Sequence, residues 1–276
     1  RVTLSDKRPL RIMPIKERSN RHRPSSDRSP LQEKNGEVLP RLKKICYFGR
    51  GRLDFAPSVM RNRAIYESWH FSAILFAAGA ASAAAAFFRE LPWLWAVTGL
   101  FAVLFCYNLY FFRDPERPIP SDPRAIVAAA DGKIVEIKRV TEPHYLKGET
   151  QMVAIFLSVF DVHVQRAPTA GAIEFVQHFA GKFLDVRDPN ASAQNEHRVI
   201  GIRDGEFRMV VRQIAGLIAR RIVGWRGEGD AVAKGERIGM IRYGSRVEMF
   251  LPLDVEIAVK VGERAKGGET IIGCRR

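Results

Sequence analysis

Cysteine is scarce in this chain: Cys46, Cys106 and Cys274 are the only three among 276 residues. An odd number at such wide spacing gives no paired motif and no disulfide framework, so a reducing compartment is expected. A secretory signal is also missing, because the first 63 residues contain no apolar core followed by a small-residue cleavage site. Surplus positive charge is missing from the main body. The formal net charge is +14, but residues 1–63 hold 17 Lys or Arg against 6 Asp or Glu, whereas residues 64–276 hold 27 against 24. A nucleic-acid partner therefore has no electrostatic footprint on the main body, and none is expected.

The basic front is polar and proline-punctuated, as in Arg18-Ser19-Asn20-Arg21-His22-Arg23-Pro24. Such a stretch cannot bury enough apolar surface to fold alone, and residues 1–63 are expected to be a disordered tail. Next to a membrane, each basic residue near the surface would gain about 1 kcal/mol from anionic head groups. The sequence starts at Arg1 rather than Met, so part of the tail is expected to be translated upstream sequence, with Met13 and Met60 as alternative starts.

Charge is absent from two runs, 71–88 and 91–112, parted by Arg89-Glu90. As helices they would reach about 27 and 33 Å, close to a bilayer core of about 30 Å. Trp69, Trp93, Trp95, Tyr107 and Tyr110 lie near their ends, where aromatic rings favour the membrane interface. Residues 64–112 are therefore expected to form a membrane-associated helical hairpin, with a pair of buried core helices as the alternative. Arg61 and Arg63 precede it and Arg113 and Arg117 follow, which places both ends on the cytoplasmic side of the inner cell membrane. The proline-rich segment 113–120 cannot be helical and leads into the remaining domain, 113–276.

Beyond the linker, short β-type runs recur between glycine turns: 126–129, 133–139, 152–157, 172–179, 198–202, 207–214 and 247–250. Residues 213–223 read as either continued strand or a short helix. Gly229-Asp230, Gly235-Glu236 and Ile238 recur at the same offsets as Gly262-Glu263, Gly268-Glu269 and Ile271, implying two equivalent corners. The expected fold is mainly β (α+β), a barrel-sandwich-like domain preceded by the hairpin.

Within this pattern Gly244-Ser245 interrupts a strand-like run. A glycine there marks a bend, and without a Cβ it lets the Ser245 hydroxyl approach the Gly244 carbonyl carbon. On its own a Gly-Ser pair is an ordinary turn dipeptide. His163 is a candidate acid or base by its reference pKa, or an ordinary strand histidine. Asp131 in Ala130-Asp131-Gly132 is a candidate carboxylate or a turn residue capping its own backbone.

Several separated stretches carry a family resemblance: Arg113-Asp114-Pro115, Ala130-Asp131-Gly132-Lys133, 160–168 (FDVHVQRAP), 181–184 (GKFL), 213–221 (QIAGLIARR) and 242–247 (RYGSRV). In this order they resemble the short, bacterial and archaeal-type branch of the phosphatidylserine decarboxylase family, over roughly residue 111 to the C-terminus. The resemblance implies a carboxy-lyase proenzyme that cuts itself between Gly244 and Ser245. It implies a β chain ending at Gly244 and an α chain of residues 245–276, held together as a heterodimer that could assemble further. It implies that Ser245 becomes a pyruvoyl cofactor, which forms a Schiff base with the amine of phosphatidylserine and leads to phosphatidylethanolamine and CO2, with no metal. Under it His163 becomes the acid or base and Asp131 a carboxylate that orients a histidine. By their chemistry Arg220 and Arg221 are either contacts for the lipid phosphate, which guanidinium matches in geometry, or paired or solvated arginines, and Lys182 has the same two readings. The longer branch of the family carries a second histidine three residues beyond the position matching His163, where this chain has Arg166. His178 and His197 are expected to be structural or surface residues.

Two rival classes stay open at this point. A membrane-anchored lipoyl- or biotinyl-like carrier or adaptor would need a modifiable lysine flanked by Met or Asp at a hairpin tip, and neither Lys234 nor Lys266 has those neighbours. A hydrolase using Ser245, His163 and Asp131 without cleavage would be expected to show Gly-x-Ser-x-Gly, and the segment around Ser245 does not.

Overall fold

A charge-free, alanine-rich run can satisfy its backbone locally only as a helix, and alanine is the strongest helix former. The computed structural model describes residues 63–186, 188, 191–217, 221–242 and 245–276. All of the expected tail except Arg63 lies outside the described residues. After the single turn α1 (Arg63–Tyr66) come α2 (Trp69–Phe88) and α3 (Trp93–Phe111). The turn between them places Glu90 in the left-handed region at φ 51°, and Pro92 precedes α3, where a missing N–H costs nothing. Asn108 donates to Ser72 Oγ at 2.8 Å and Ser82 Oγ donates to the Leu94 carbonyl at 3.1 Å, tying the two helices together.

Both helices are long and apolar enough to cross a membrane, with mean hydropathies of 1.9 and 1.7. Their large side chains, among them Phe76, Phe88, Trp93 and Val103, are exposed. At the base of the hairpin Phe111 and Phe112 are buried, clustered with Val162, Val164, Trp225 and Met240 of the following domain.

Among the described residues the rest is built from fourteen strands: β1 (Ala125–Val127), β2 (Gly132–Glu142), β3 (Gly148–Leu157), β4 (Val164–Arg166), β5 (Gly171–Phe179), β6 (His197–Asp204), β7 (Phe207–Ala215), β8 (Ile222–Gly224), β9 (Ala231–Val232), β10 (Arg237–Ile241), β11 (Ser245–Leu251), β12 (Glu256–Ile257), β13 (Arg264–Ala265) and β14 (Ile271–Cys274). One helical turn, α4 (Ala191–Gln194), precedes β6. An eight-stranded sheet runs in the order β13-β2-β3-β11-β7-β6-β5-β9, with small sheets β4-β10-β8 and β1-β14-β12 beside it. The expected mainly-β fold behind two apolar helices is thus found; six of the seven anticipated runs lie on a strand, and of 126–129 only Ile126 and Val127 do, in β1. The open segment 213–223 resolves into the end of β7 at Ala215 and the start of β8 at Ile222.

The sequence repeat is a structural one. Gly229 and Gly262 take φ 87° and 99°, and Gly235 and Gly268 take 77° and 79°. β9 then closes one edge of the large sheet on β5 while β13 closes the other on β2. Gly235 N–H donates to Ala167 and Gly268 N–H to Ala128, both at 2.8 Å. A Cβ on Gly235 would strike Ile119 at 2.3 Å, and one on Gly268 would strike the Arg166 side chain at 2.8 Å with Ile119 at 3.1 Å, so the linker's isoleucine packs against both corners.

β11 lies between β3 and β7, and its alternation separates two environments. Val247, Met249 and Leu251 enter the main apolar core, and Ser245 shares their parity. Arg246, Glu248 and Phe250 face the opposite side, with Phe250 in a second cluster that includes Met152 and Val210.

Candidate active site

Ser245 is the first residue of β11, paired with Leu157 at the end of β3 and Ala215 at the end of β7. It is fully buried, and its Oγ has no hydrogen-bond partner. A hydroxyl withdrawn from water without a partner costs about 1–3 kcal/mol, so its place calls for a chemical reason. Gly244 lies outside the described residues.

His163 sits in the segment that leaves β3 beside Ser245 and enters β4. It is fully buried, with its ring 4.2 Å from that of Phe111 at the base of the hairpin. Nδ1 lies 2.9 Å from the Asp161 carbonyl. A carbonyl can only accept, so Nδ1 carries the proton and Nε2 keeps its lone pair. Burial pushes the imidazole down to about 4, against partial opposition from the Asp161 carbonyl and carboxylate, and His163 is neutral at pH 7. The turn around it is stiff: Ser158 donates to the Asp161 carboxylate through N–H at 2.9 Å and Oγ at 2.6 Å, and Arg264 pairs with the other oxygen.

The carbonyl of His163 is the end of a buried relay. Arg198 Nη1 donates to Gln213 Oε1 at 3.2 Å, Gln213 Nε2 to Gln165 Oε1 at 2.8 Å, and Gln165 Nε2 to the His163 carbonyl at 2.8 Å. Both glutamines are fully buried, and Gln213 shares the Ser245 face of the sheet two residues from Ala215. The guanidinium can only donate, which fixes the direction of every amide in the row. Gly224 leaves room for it, since a Cβ there would lie 2.5 Å from the Arg198 guanidinium carbon. Sequence reading quoted Asp161, Gln165 and Gln213 within motifs but gave them no role, and it missed Arg198. The available signal was a polar residue at an inward position of an otherwise apolar strand.

Among the described residues no hydrogen bond joins Asp131, His163 and Ser245. Asp131 accepts from Gly267 N–H at 2.8 Å and Arg117 at 2.6 Å; burial raises its carboxyl while those donors hold it back. His163 Nδ1 faces Asp161, and Ser245 Oγ has no partner. Arg166, standing where the longer branch has its histidine, is a structural clasp. It reaches Asp114 at 2.9 Å, the Pro115 carbonyl at 2.9 Å and the Gly235 carbonyl at 3.0 Å.

Among the expected phosphate contacts, Arg220 lies outside the described residues, and Arg221 is exposed with its carbonyl accepting from Arg242 N–H at 3.3 Å. Lys182 is exposed and donates to Gln194 at 3.0 Å. Among the described residues, neither Arg221 nor Lys182 has a side-chain hydrogen bond to Ser245. His178 is half-exposed, 3.4 Å from Glu196, and His197 stacks on Phe179 on the sheet face opposite Ser245. Among the described residues no group of His, Cys, Asp and Glu is arranged to hold a metal ion.

Fold and site together define a mainly β protein whose buried, unpartnered serine heads a central strand, with an apolar hairpin seated against the neighbouring histidine. The chain belongs to the phosphatidylserine decarboxylase family, whose model matches residues 104–273. It is 43% identical over 180 residues to the phosphatidylserine decarboxylase proenzyme of Symbiobacterium thermophilum, covering 65% of this chain and 84% of that one. It is 46% identical over 172 residues to the proenzyme of Carboxydothermus hydrogenoformans, covering 62% and 81%. The proenzyme of Syntrophus aciditrophicus is 44% identical over 201 residues, covering 72% and 92%.

Proposed function

We propose that this chain is a phosphatidylserine decarboxylase proenzyme that cuts itself between Gly244 and Ser245 and releases phosphatidylethanolamine and CO2. The observation that carries the reading is Ser245 Oγ, fully buried and without a hydrogen-bond partner, in a member of this family. Attack of that oxygen on the Gly244 carbonyl turns the peptide into an ester. Elimination then frees the Gly244 carboxylate and leaves dehydroalanine at 245, and water replaces its nitrogen, released as ammonia, with a ketone oxygen. The pyruvoyl group so formed supplies a carbonyl that condenses with the substrate amine and takes up the electrons left as CO2 departs.

The burial of Ser245 fits such a carbonyl, because water is kept from it. β11 pairs along its length with β3 and nearly so with β7, so the 245–276 fragment stays in the sheet after the cut. His163, neutral and protonated on Nδ1, serves as the proton acceptor and donor at this corner. Asp131 acts at one remove, by fixing the 130–132 turn through Gly267 and Arg117. Arg221, with Arg220 beside it in sequence, supplies guanidinium to the lipid phosphate, and Lys182 is a second cation of the same kind. The hairpin enters the inner membrane with the β domain on the cytoplasmic side, supported by the arginines at its base.

Intact mass under denaturing conditions tests this reading. Two fragments are expected, the smaller beginning at a modified position 245 that lacks a free amine and gains mass with borohydride. Ser245→Ala is expected to stay whole and inactive. A single full-length chain in an active preparation would overturn the proposal.

A further inference from the structure

Two large apolar side chains of the β domain stand in water beside the site: Phe160 is 63% exposed and Leu217 is 62% exposed. Their placement follows from the register. Leu157 and Ala215 flank Ser245 on adjacent strands, each about 5 Å away in the sheet. Phe160 lies three residues beyond Leu157 and Leu217 two beyond Ala215, so the pair brackets the Ser245 end of β11. The main chain at Phe160 is also pinned. Tyr107 donates to the Val159 carbonyl at 3.3 Å, and Tyr110 and Arg113 donate to the Phe160 carbonyl at 3.4 and 2.6 Å. All three donors belong to the last turn of α3 or the residues just after it.

Those contacts fix the depth of Phe160. It lies level with Tyr107 and Tyr110, with Trp69 and Tyr66 exposed at the matching end of the paired helix segment. Aromatic rings and arginines at the end of a bilayer-length helix mark the head-group layer. Leaving a Phe and a Leu in water there forgoes burial, whereas dipping them below the head groups recovers it.

We propose that Phe160 and Leu217 form an apolar lip that enters the head-group layer of the bilayer and opens the Ser245 corner onto the membrane. The lip rests on the reading that the hairpin is membrane-inserted and the substrate is a serine phospholipid. Its occupant is the lipid surface itself, continuous with the hairpin. The substrate head group then passes from the leaflet to Ser245 between the two side chains without crossing bulk water.

The test compares kcat/KM on phosphatidylserine in phosphatidylglycerol-containing vesicles with kcat/KM on dihexanoyl phosphatidylserine kept below its micellar concentration, using the self-cleaved full chain in both arms. The Phe160→Asp/Leu217→Asp variant is expected to lose about tenfold or more on vesicles relative to the short-chain lipid. Phe160→Leu/Leu217→Met, which keeps the lip apolar, is expected to hold the wild-type ratio. Both variants should still yield two fragments, which separates the lip from folding. Equal losses on the two substrates, an unchanged ratio in the Asp variant, or the same fall in the apolar variant would each overturn the lip. Failure of the wild-type chain to decarboxylate either lipid would instead overturn the proposed function.

Discussion

Arg166 Nη2 lies 2.9 Å from Asp114 Oδ1, and both side chains are almost wholly removed from water. Arg237 takes the other oxygen of Asp114, so the pair fastens the segment leaving the hairpin to the strand that follows His163. Removing one member of a buried pair strands the other charge, at about 3–5 kcal/mol. Asp114→Leu is therefore expected to lower the thermal midpoint in detergent sharply. Arg166→His restores the residue type of the longer branch, but an imidazole cannot reach Asp114, Pro115 and Gly235 together. It is expected to lose stability and to cut no faster than wild type. A faster-cutting Arg166→His variant, followed by fragment appearance on gels, would show that this position is a processing site rather than a clasp.

His163 makes stability depend on pH in a defined direction. Its folded value of about 4 lies below the ordinary 6.5, so between those values the unfolded chain binds the proton and the folded chain does not. Stability is expected to fall as pH drops from 6.5 towards 4 and to flatten below, by about 3 kcal/mol in total. His163→Phe removes this pH dependence, so the denaturant midpoint of wild type should fall relative to that of the variant as the pH is lowered from 6.5 towards 4. Parallel curves from pH 7 to 4 would mean that His163 binds its proton equally well in the folded and unfolded chains.

The Arg198-Gln213-Gln165 relay predicts non-additive mutations. Gln213→Leu leaves both the Arg198 guanidinium and the Gln165 carbonyl oxygen without their partner, at about 1–3 kcal/mol for each stranded group. It also loosens the His163 carbonyl, and slower formation of the 245–276 fragment is expected. Gln165→Leu alone strands the Gln213 amide. The double variant should cost less than the sum of the two, because each change removes what the other leaves unpaired. Strict additivity of the denaturation energies, with normal cutting, would reduce the row to independent packing sites.

The strands and the hairpin were legible because each depends on local pattern: charge-free runs for α2 and α3, β-branched runs between glycines for β2, β3 and β7. The repeated corners were legible too, since Gly229, Gly235, Gly262 and Gly268 adopt a backbone that other residues avoid. Partnerships across the chain were not. Arg166 gives no sign in sequence that it reaches Asp114 fifty-two positions earlier, and Asp131 gives none that Arg117 and Gly267 take its oxygens. His163 was picked out by motif, but its tautomer follows from the Asp161 carbonyl, a main-chain atom with no signature in the sequence.

Glu248 offers a test of what holds the two fragments together after the cut. It is fully buried on the 245–276 side, three residues from Ser245, whereas Arg212 and Ser192 lie on the other side of the proposed cleavage point. Ser192 Oγ donates to it at 2.7 Å, Arg212 Nε at 2.7 Å and Arg246 Nε at 2.8 Å. Burial alone would raise this carboxyl, but Arg212 and Arg246, helped by Ser192, outweigh it and hold the carboxyl below its usual 4.5. A lowered carboxylate contributes its stability fully above the unfolded value and loses it as pH falls through the folded one. Glu248→Gln, which leaves Arg212 facing a neutral amide, is expected to release the small fragment at lower urea than wild type at pH 7. The gap between the two should narrow below about pH 4.5, where wild type gives up the same charge. Fragment dissociation followed by size exclusion in urea reads this directly, and a gap unchanged from pH 7 to 3 would show that the Glu248 charge does not hold the fragments together.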